Sequence, residues 1–340
     1  MIKIILKKLQ MQEHLNEEEA SKVFKAMING ELTDAQISCF LSLLASNGES
    51  SDEIAAAAKV MRIHSLKVPT NLQNLVDTCG TGGDNSNSFN VSTGAAFIAA
   101  AAGVKIAKHG NRSASSNSGS ADLLEEAGAE INLSPKKVAY CIENLGIGFM
   151  FAPNHHQATK KVVAIRKELG IRTLFNLVGP LTNPAPVSTQ VIGIFDSNLI
   201  EKYLKVLIKL DCKRAIVLAS RDGLDEISVG SNSIIGELFN KKYKISELNP
   251  ENLGIKKYDN PEIKVKNAEE SLMMIRSAFS GERGAAFDML TLNAGAVIYI
   301  GGISENLEEG AEIARTVLKK GKAADLFNKY IETTKRIAEQ

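Results

Sequence analysis

A short apolar run leads into a glycine-rich turn that closes on an acid, Gly80-Thr81-Gly82-Gly83-Asp84. Glycine permits positive φ and lets a ligand approach the backbone closely. Asn90-Val91-Ser92-Thr93 then opens an apolar run, residues 94–102, with a helical pattern. A strand, a glycine turn and a helix N-terminus offer free N–H groups and the positive end of a helix dipole, which favour a phosphate. The hydroxyls of Ser92 and Thr93 can reach that phosphate or its Mg²⁺. A purely structural turn stays open as the alternative.

Two familiar nucleotide-binding motifs do not occur in the chain. There is no G-x-x-x-x-G-K-[ST] sequence, and the glycines are not spaced as G-x-G-x-x-G. Val76-Asp77-Thr78 also lacks the paired acids expected before the phosphate loop of the common Rossmann-like ribose-diphosphate transferases. Any phosphate loop here is therefore of another kind.

A second polar loop, residues 108–116, follows the predicted strand Val104–Ala107 and precedes Ser118-Gly119-Ser120-Ala121-Asp122, which opens a helix. Loops at the carboxyl ends of parallel strands are where α/β proteins bind ligands. Two cations, a histidine, amides and hydroxyls in one loop suit a phosphorylated sugar. A solvated polar loop is the alternative.

Asp225 and Glu226 are adjacent acids that follow a predicted strand, Ala215–Ala219. One or two carboxylates, completed by substrate phosphate and water, suit Mg²⁺. A turn with surface acids is the alternative.

A third cluster combines His155, His156 and Arg166. The adjacent histidines point apart on a helix, which argues against a two-histidine metal site and favours capping or packing for at least one of them. Arg166 stands on an apolar stripe, where an arginine either extends towards solvent or faces an anion that its planar fork can bind in bidentate fashion.

The composition excludes several classes of protein. The chain has 340 residues, 44% of them hydrophobic and 23% charged, and a net charge of +1. This balance predicts two domains with full cores and no whole-protein attraction for nucleic acid or for an anionic membrane. The four cysteines are far apart, without disulfide or zinc spacing, which predicts a cytoplasmic protein. No signal segment or membrane span is expected.

The hydrophobic pattern divides the chain in two. Residues 1–68 predict a helical domain, with capping boxes at Asn16, Thr33 and Ser50 and a linker at Val68-Pro69-Thr70. We expect a segment near 160–186 to complete it. Residues 72–340 predict an α/β domain in which a mostly parallel sheet is covered by helices. The predicted strands are Leu75–Thr78, Val104–Ala107, Gly148–Phe151, Thr189–Phe195 and Ala215–Ala219.

Over nearly its whole length, the chain closely resembles the anthranilate phosphoribosyltransferase family, which shares its fold with the pyrimidine nucleoside phosphorylases. The resemblance rests on an ordered set of motifs: Gly80 to Asp84, Asn90 to Thr93, Lys108 to Ser113, Ser118 to Asp122, Arg166, Arg172-Thr173-Leu174-Phe175-Asn176, Gly179-Pro180-Leu181, Asn183-Pro184-Ala185 and Asp222 to Glu226.

The resemblance implies a site in the cleft at the hinge between a helical and an α/β domain, and a homodimer formed through the helical domains. It implies that 5-phosphoribosyl diphosphate is held by Gly80, Thr81, Gly83, Asp84, Ser88, Asn90, Val91, Ser92, Thr93, Lys108, Asn111, Arg112, Ser113, Ser116 and Ser120. Anthranilate would meet Gly80, His109, Asn111, Arg166 and Pro180, with its carboxylate on Arg166. Two Mg²⁺ ions are implied, one on Ser92 and one on Asp225 with Glu226.

The activity implied is transfer of the phosphoribosyl group to the amine of anthranilate, in tryptophan biosynthesis. No residue is assigned as a certain catalytic group; Lys108 and the metal would stabilise charge. The chain departs from the family pattern at Asn117, at residues 157–160 and at Ala164, changes that concern the acceptor side more than the diphosphate side. A pyrimidine nucleoside phosphorylase, or a nucleic-acid-binding relative without activity, remains as the alternative.

Overall fold

The computed structural model describes residues 1–84, 86–113, 117–259 and 262–340. Four helices come first: α1 (Ile2–Gln10), α2 (Glu17–Ile28), α3 (Asp34–Asn47) and α4 (Ser51–His64). The last three begin with the predicted capping boxes, at Asn16, Thr33 and Ser50. In each box the cap side chain accepts a backbone N–H three residues on, and the side chain there accepts the N–H of the cap, so two otherwise unbonded donors are satisfied.

A seven-stranded sheet forms the larger part of the fold, with strand order β3-β2-β1-β4-β5-β6-β7. The strands are β1 (Val76–Gly80), β2 (Ile106–Gly110), β3 (Ile147–Phe151), β4 (Thr189–Gly193), β5 (Arg214–Ser220), β6 (Ser233–Phe239) and β7 (Lys242–Leu248). The first five pair in parallel, whereas β6 and β7 are antiparallel. The mostly parallel α/β sheet is thus confirmed, and two strands join it that the pattern had not predicted.

Further helices cover the sheet on both faces: α5 (Val91–Ala101), α6 (Ser120–Glu126), α7 (Pro135–Leu145), α8 (Ala152–His155), α9 (Lys160–Leu169), α10 (Phe175–Val178), α11 (Ile200–Lys209), α12 (Ala268–Phe279), α13 (Ala285–Ile300), α14 (Leu307–Lys319) and α15 (Lys322–Ala338). The two most apolar of them, α5 and α13, pack against each other and are buried almost throughout. Among the described residues, no helix is long and apolar enough to span a membrane.

Two separate clusters of buried apolar residues make up the core. One contains α5, α7, α12 and α13 with one face of the sheet. The other joins α1–α4 to α11 and also takes in Val162, Ile165, Leu174 and Leu177 from α9, α10 and the segment between them. Residues from the 160–186 segment therefore pack with the N-terminal helices, while the division at residues 68 and 72 stays a prediction.

The strand order locates a site. From β1 the chain crosses to β2 on one side, while β4 pairs with β1 on the other, so the direction of winding changes between β1 and β4. In open α/β sheets the carboxyl ends of strands diverge at such a point and leave a crevice.

Candidate phosphoribosyl-transfer site

A cavity of about 380 Å³ opens at the carboxyl ends of β1 and β2. Its lining includes all but one of the residues predicted from the sequence to bind the diphosphate donor, anthranilate or metal: Gly80, Thr81, Gly83, Asp84, Ser88, Asn90, Val91, Ser92, Thr93, Lys108, His109, Asn111, Arg112, Ser113, Ser120, Arg166, Pro180, Asp225 and Glu226. Ser116 lies outside the described residues. Residues far apart in sequence thus line one cavity.

The glycine turn bends away from the sheet at the end of β1. Gly82 and Gly83 have φ values of +61° and +78°, a region that side chains with Cβ atoms rarely adopt. Two hydrogen bonds fix the first half of the turn: the Thr81 N–H donates to the Gly193 carbonyl (2.9 Å), and the Gly82 N–H donates to Asp225 Oδ2 (3.1 Å). Within the described residues, the buried hydroxyls of Thr81 and Thr93 have no hydrogen-bond partner. They are available to an oxygen-rich ligand.

Lys108, in the middle of β2, is a buried cation that lines the cavity. Its Nζ donates to the Thr78 carbonyl (2.6 Å) and to Ser92 Oγ (3.3 Å). Burial lowers the pKa of Lys108, and the negative charge of Asp77 opposes that shift. Asp77 lies beneath, where it accepts the His109 N–H (3.0 Å) and Asn183 Nδ2 (2.8 Å). The strand ends that carry the cavity are therefore held by buried polar contacts.

Asp225 and Glu226 face the glycine turn and α5. Glu226 Oε1 accepts the N–H of Ser92 at 3.1 Å. Burial, followed by the charge of Asp84, raises the pKa of Asp225 to about 7. Burial together with the charge of Asp225 raises the pKa of Glu226 well above its usual value. Two acids are thus held close to each other in a poorly solvated place, an arrangement that a cation would relieve.

Arg112 lines the cavity but is already engaged. Its guanidinium forms ion pairs with Glu125 and, at 3.2 Å, with Asp122. It also lies 5.5 Å from the centre of the Phe151 ring. An anionic ligand would have to compete with these acids for Arg112, whereas no acid among the described residues forms an ion pair with the Nζ of Lys108.

The opposite wall comes from the segment that packs with the N-terminal helices. Arg166 of α9 lies with its guanidinium 5.5 Å from the centre of the Phe175 ring, and Nη2 donates to Asn176 Oδ1 at 3.3 Å. Burial lowers its pKa. Among the described residues no carboxylate pairs with it, and its buried Nε has no hydrogen-bond partner. An unpaired arginine in a cleft suits an anionic ligand.

The buried histidines form a neutral edge beside that wall. The rings of His109 and His156 meet edge to face, with centroids 5.2 Å apart. Burial lowers the pKa of His156 to about 4 and that of His109 well below its usual value. His155 Nδ1 is bonded to the Leu66 carbonyl at 2.7 Å, as expected of a packing histidine.

Sequence reasoning did not assign Arg172, Phe175 or Asn176 to the site, although all three belong to one of its motifs. Phe175 and Asn176 line the cavity. Arg172 Nη2 donates to the Gly83 carbonyl, and its guanidinium lies 3.9 Å from the centre of the Phe195 ring. It therefore links the Arg166 side of the cleft to the glycine turn. Their membership of the motif Arg172-Thr173-Leu174-Phe175-Asn176 was the sequence signal that could have identified them as site residues.

The described residues contain no group of three histidine, cysteine, aspartate or glutamate side chains arranged to hold a metal ion. This agrees with the way Mg²⁺ binds to proteins, through one or two carboxylates with the remaining positions taken by phosphate and water. The oxygen donors of Asp225, Glu226 and Ser92 fit such an ion.

Comparison with known proteins agrees with this geometry. Residues 3–65 match a family model described as the glycosyl transferase family, helical bundle domain, and residues 72–324 match the a/b domain of that family. An anthranilate phosphoribosyltransferase of Hydrogenovibrio crunogenus is 45% identical over 98% of both chains.

Solved structures agree with the sequence relatives. The anthranilate phosphoribosyltransferase of Thermus thermophilus is 39% identical, with a TM-score of 0.91 over 97% of this chain and 99% of that one. The Saccharomyces cerevisiae enzyme, solved in complex with PRPP and Mg, is 25% identical, with a TM-score of 0.88 over 98% of both chains. The chain described here therefore belongs to the anthranilate phosphoribosyltransferase family of glycosyl transferases.

Proposed function

We propose that this protein transfers the 5-phosphoribosyl group of 5-phosphoribosyl diphosphate to the amine of anthranilate, in L-tryptophan biosynthesis. The products are N-(5-phospho-β-D-ribosyl)anthranilate and diphosphate. The observation that carries the proposal is a single cavity lined by a phosphate-type glycine turn, by two partly buried acids, and by an arginine for which the described residues supply no carboxylate partner.

The donor belongs on the glycine-turn side. The N–H groups of Gly83 and Asp84 and the N-terminus of α5 suit the diphosphate, as do the unbonded hydroxyls of Thr81 and Thr93. We assign the phosphoribosyl part to the β2 loop, with Asn111, Ser113 and Ser120. Lys108 supplies a buried positive charge beneath the leaving group.

Mg²⁺ is the metal we propose, as two ions, one on Ser92 with the diphosphate and one on Asp225 with Glu226. The raised pKa values of the two acids support the second of these sites, because a cation removes the cause of the shift. When bound, Mg²⁺ neutralises charge on the departing diphosphate.

The acceptor belongs beside Arg166, with the carboxylate on its guanidinium and the ring near His109, Asn111, Gly80 and Pro180. The aromatic amine is neutral at pH 7, so its lone pair needs no strong base. The chain then contributes mainly position and charge: it aligns the amine with C1 of the ribose, and Lys108 stabilises the leaving oxygens as the C–O bond breaks.

We also propose a homodimer formed through the N-terminal helices, and a cytoplasmic location. The exposed side chains of Ile4, Met11 and Ile63 support the first, because they leave apolar surface on those helices. The four free cysteines support the second. Sedimentation equilibrium tests the dimer, and a monomer at micromolar concentration would contradict it.

The decisive assay follows the loss of anthranilate fluorescence after 5-phosphoribosyl diphosphate and Mg²⁺ are added, with EDTA as the metal control. Thymidine with phosphate, and single-stranded DNA at about 0.15 M salt, test the two alternatives. Loss of anthranilate that depends on donor and metal supports the proposal. Phosphorolysis of thymidine, or tight DNA binding without transfer, would contradict it.

Arg166→Ala tests the carboxylate contact. Hydrogen bonds to charged groups contribute about 1.5–3 kcal/mol, so the KM for anthranilate should rise roughly 10- to 100-fold while that for the donor changes little. Arg276→Ala, on the exposed surface of α12, is the matched control. An unchanged KM for anthranilate would show that the acceptor carboxylate binds elsewhere.

A further inference from the structure

The charge of Arg166 is held in the cleft by neutral groups. The guanidinium of Arg166 contacts the ring of Phe175, and its Nη2 donates a hydrogen bond to the uncharged amide of Asn176. The described residues offer it no carboxylate within ion-pair distance. Positive charge is therefore positioned there without being neutralised.

Asn176 is itself rigidly placed. Its Oδ1 accepts the backbone N–H of Thr173 at 3.0 Å, in the turn that leads into α10, and the same oxygen accepts from Arg166 at 3.3 Å. A single amide oxygen thus ties the guanidinium to a fixed backbone turn. The side chain also lines the cavity beside Arg166.

We propose that Asn176 is a positioning residue that sets specificity for an acceptor carboxylate, an inference that rests on the proposed function. Its amide oxygen orients the Arg166 fork, and its neutrality leaves the full guanidinium charge for the substrate. Aspartate has nearly the same shape and would keep the bond to the Thr173 N–H, but it would pair with Arg166 and compete with the acceptor.

The experiment compares Asn176→Asp with Asn176→Ala in the full-length protein, using anthranilate and its uncharged analogue 2-aminobenzamide as acceptors. Asn176→Asp should lower kcat/KM for anthranilate roughly 10- to 100-fold and lower the preference for acid over amide by about tenfold or more. Asn176→Ala, which removes the anchor without adding charge, should lower kcat/KM for anthranilate only several-fold. Asn252→Asp makes the same chemical change at an exposed position and serves as the control.

Which of the two variants has the lower kcat/KM for anthranilate distinguishes a positioning role of Asn176 from a merely structural one. If Asn176 only held the turn, the aspartate, which keeps the Thr173 bond, would be the milder change. The inference is overturned if Asn176→Asp uses anthranilate as well as or better than Asn176→Ala does, with an unaltered preference for acid over amide. The donor KM, unchanged in folded variants, reports on the rest of the site. Lack of anthranilate transfer by the unsubstituted protein would instead refute the proposed function.

Discussion

Gly94→Ala should destabilise the protein although alanine is the better helix former. Gly94 lies in the first turn of α5, where an added Cβ would be 2.6 Å from Leu290 Cδ2 of α13. Favourable carbon–carbon contacts begin near ~3.5 Å, so the overlap is about 0.9 Å. Leu290 is fully buried and cannot turn into solvent. The helices must separate or the leucine must adopt a strained rotamer.

The sign of the change follows from two opposing terms. Replacing glycine by alanine inside a helix contributes about 1 kcal/mol of stability. Overpacking a tight core costs about 1–3 kcal/mol, and this contact belongs in the upper part of that range because both partners are enclosed. We therefore expect a net loss of about 1–2 kcal/mol in the free energy of unfolding. Urea denaturation measures it.

The same variant links packing to the site, because the N-terminus of α5 carries Ser92 and Thr93. A displacement near 1 Å can cost about 100-fold in activity, so a smaller one should raise the donor KM by roughly tenfold. Combining Gly94→Ala with Leu290→Ala provides the control. The introduced methyl then fills part of the space that the leucine left, so the double variant should be at least ~1 kcal/mol more stable than the sum of the single changes predicts. A Gly94→Ala protein about 1 kcal/mol more stable than the original would refute the packing argument.

Two further predictions concern the glycine turn and the acids. Arg172→Ala removes both the hydrogen bond to the Gly83 carbonyl and the stacking on Phe195, so the KM for the donor should rise roughly 10-fold. Steady-state kinetics measure this KM. Equal kinetics for Arg172→Ala and the original protein would contradict the prediction. The second prediction concerns the pKa of Asp225, which is about 7 in the folded protein and 3.8 in its unperturbed state. Between these two pH values the folded protein keeps a proton on Asp225 that the unfolded chain has released. The stability this proton gives is complete below the unfolded pKa and is lost as pH rises through about 7, whereas Mg²⁺ competes with the proton. Mg²⁺ should therefore raise the Tm more at about pH 8 than at about pH 6. Asp225→Asn should reduce this difference, although burial still raises the pKa of the remaining ligand Glu226. An equal Mg²⁺ effect at both pH values would count against the assignment.

The helical N-terminus and the parallel strands could be predicted because their signals are local. Each capping box is a pair of residues three apart, and the buried strands are short apolar runs, such as the one that forms β5. The hairpin of β6 and β7 offers weaker signals: the apolar run of β6 is interrupted by Gly236 and Glu237. Strand β7 is exposed along nearly its whole length, so the short polar–apolar alternation of Lys242 to Ile245 marks no buried face. Its two-residue turn, Asn240-Lys241, has positive φ at both positions but lacks the glycine that usually marks such turns.

The two sides of the cleft differ in the same way. The groups that we propose for the phosphoribosyl donor are backbone N–H groups and side chains at the carboxyl ends of β1 and β2, so a strand pattern is sufficient to bring them together at one sheet edge. The side that we propose for the acceptor consists of residues 166–176, whose apolar neighbours pack with the N-terminal helices. The position of that segment depends on contacts between residues far apart in sequence, such as Tyr203 Oη donating to the Leu177 carbonyl at 2.6 Å. Arg166 could be recognised as a residue type suited to a carboxylate. That a neutral amide ten residues later would orient it depends on how the chain returns to the cleft, and only the folded structure contains that information.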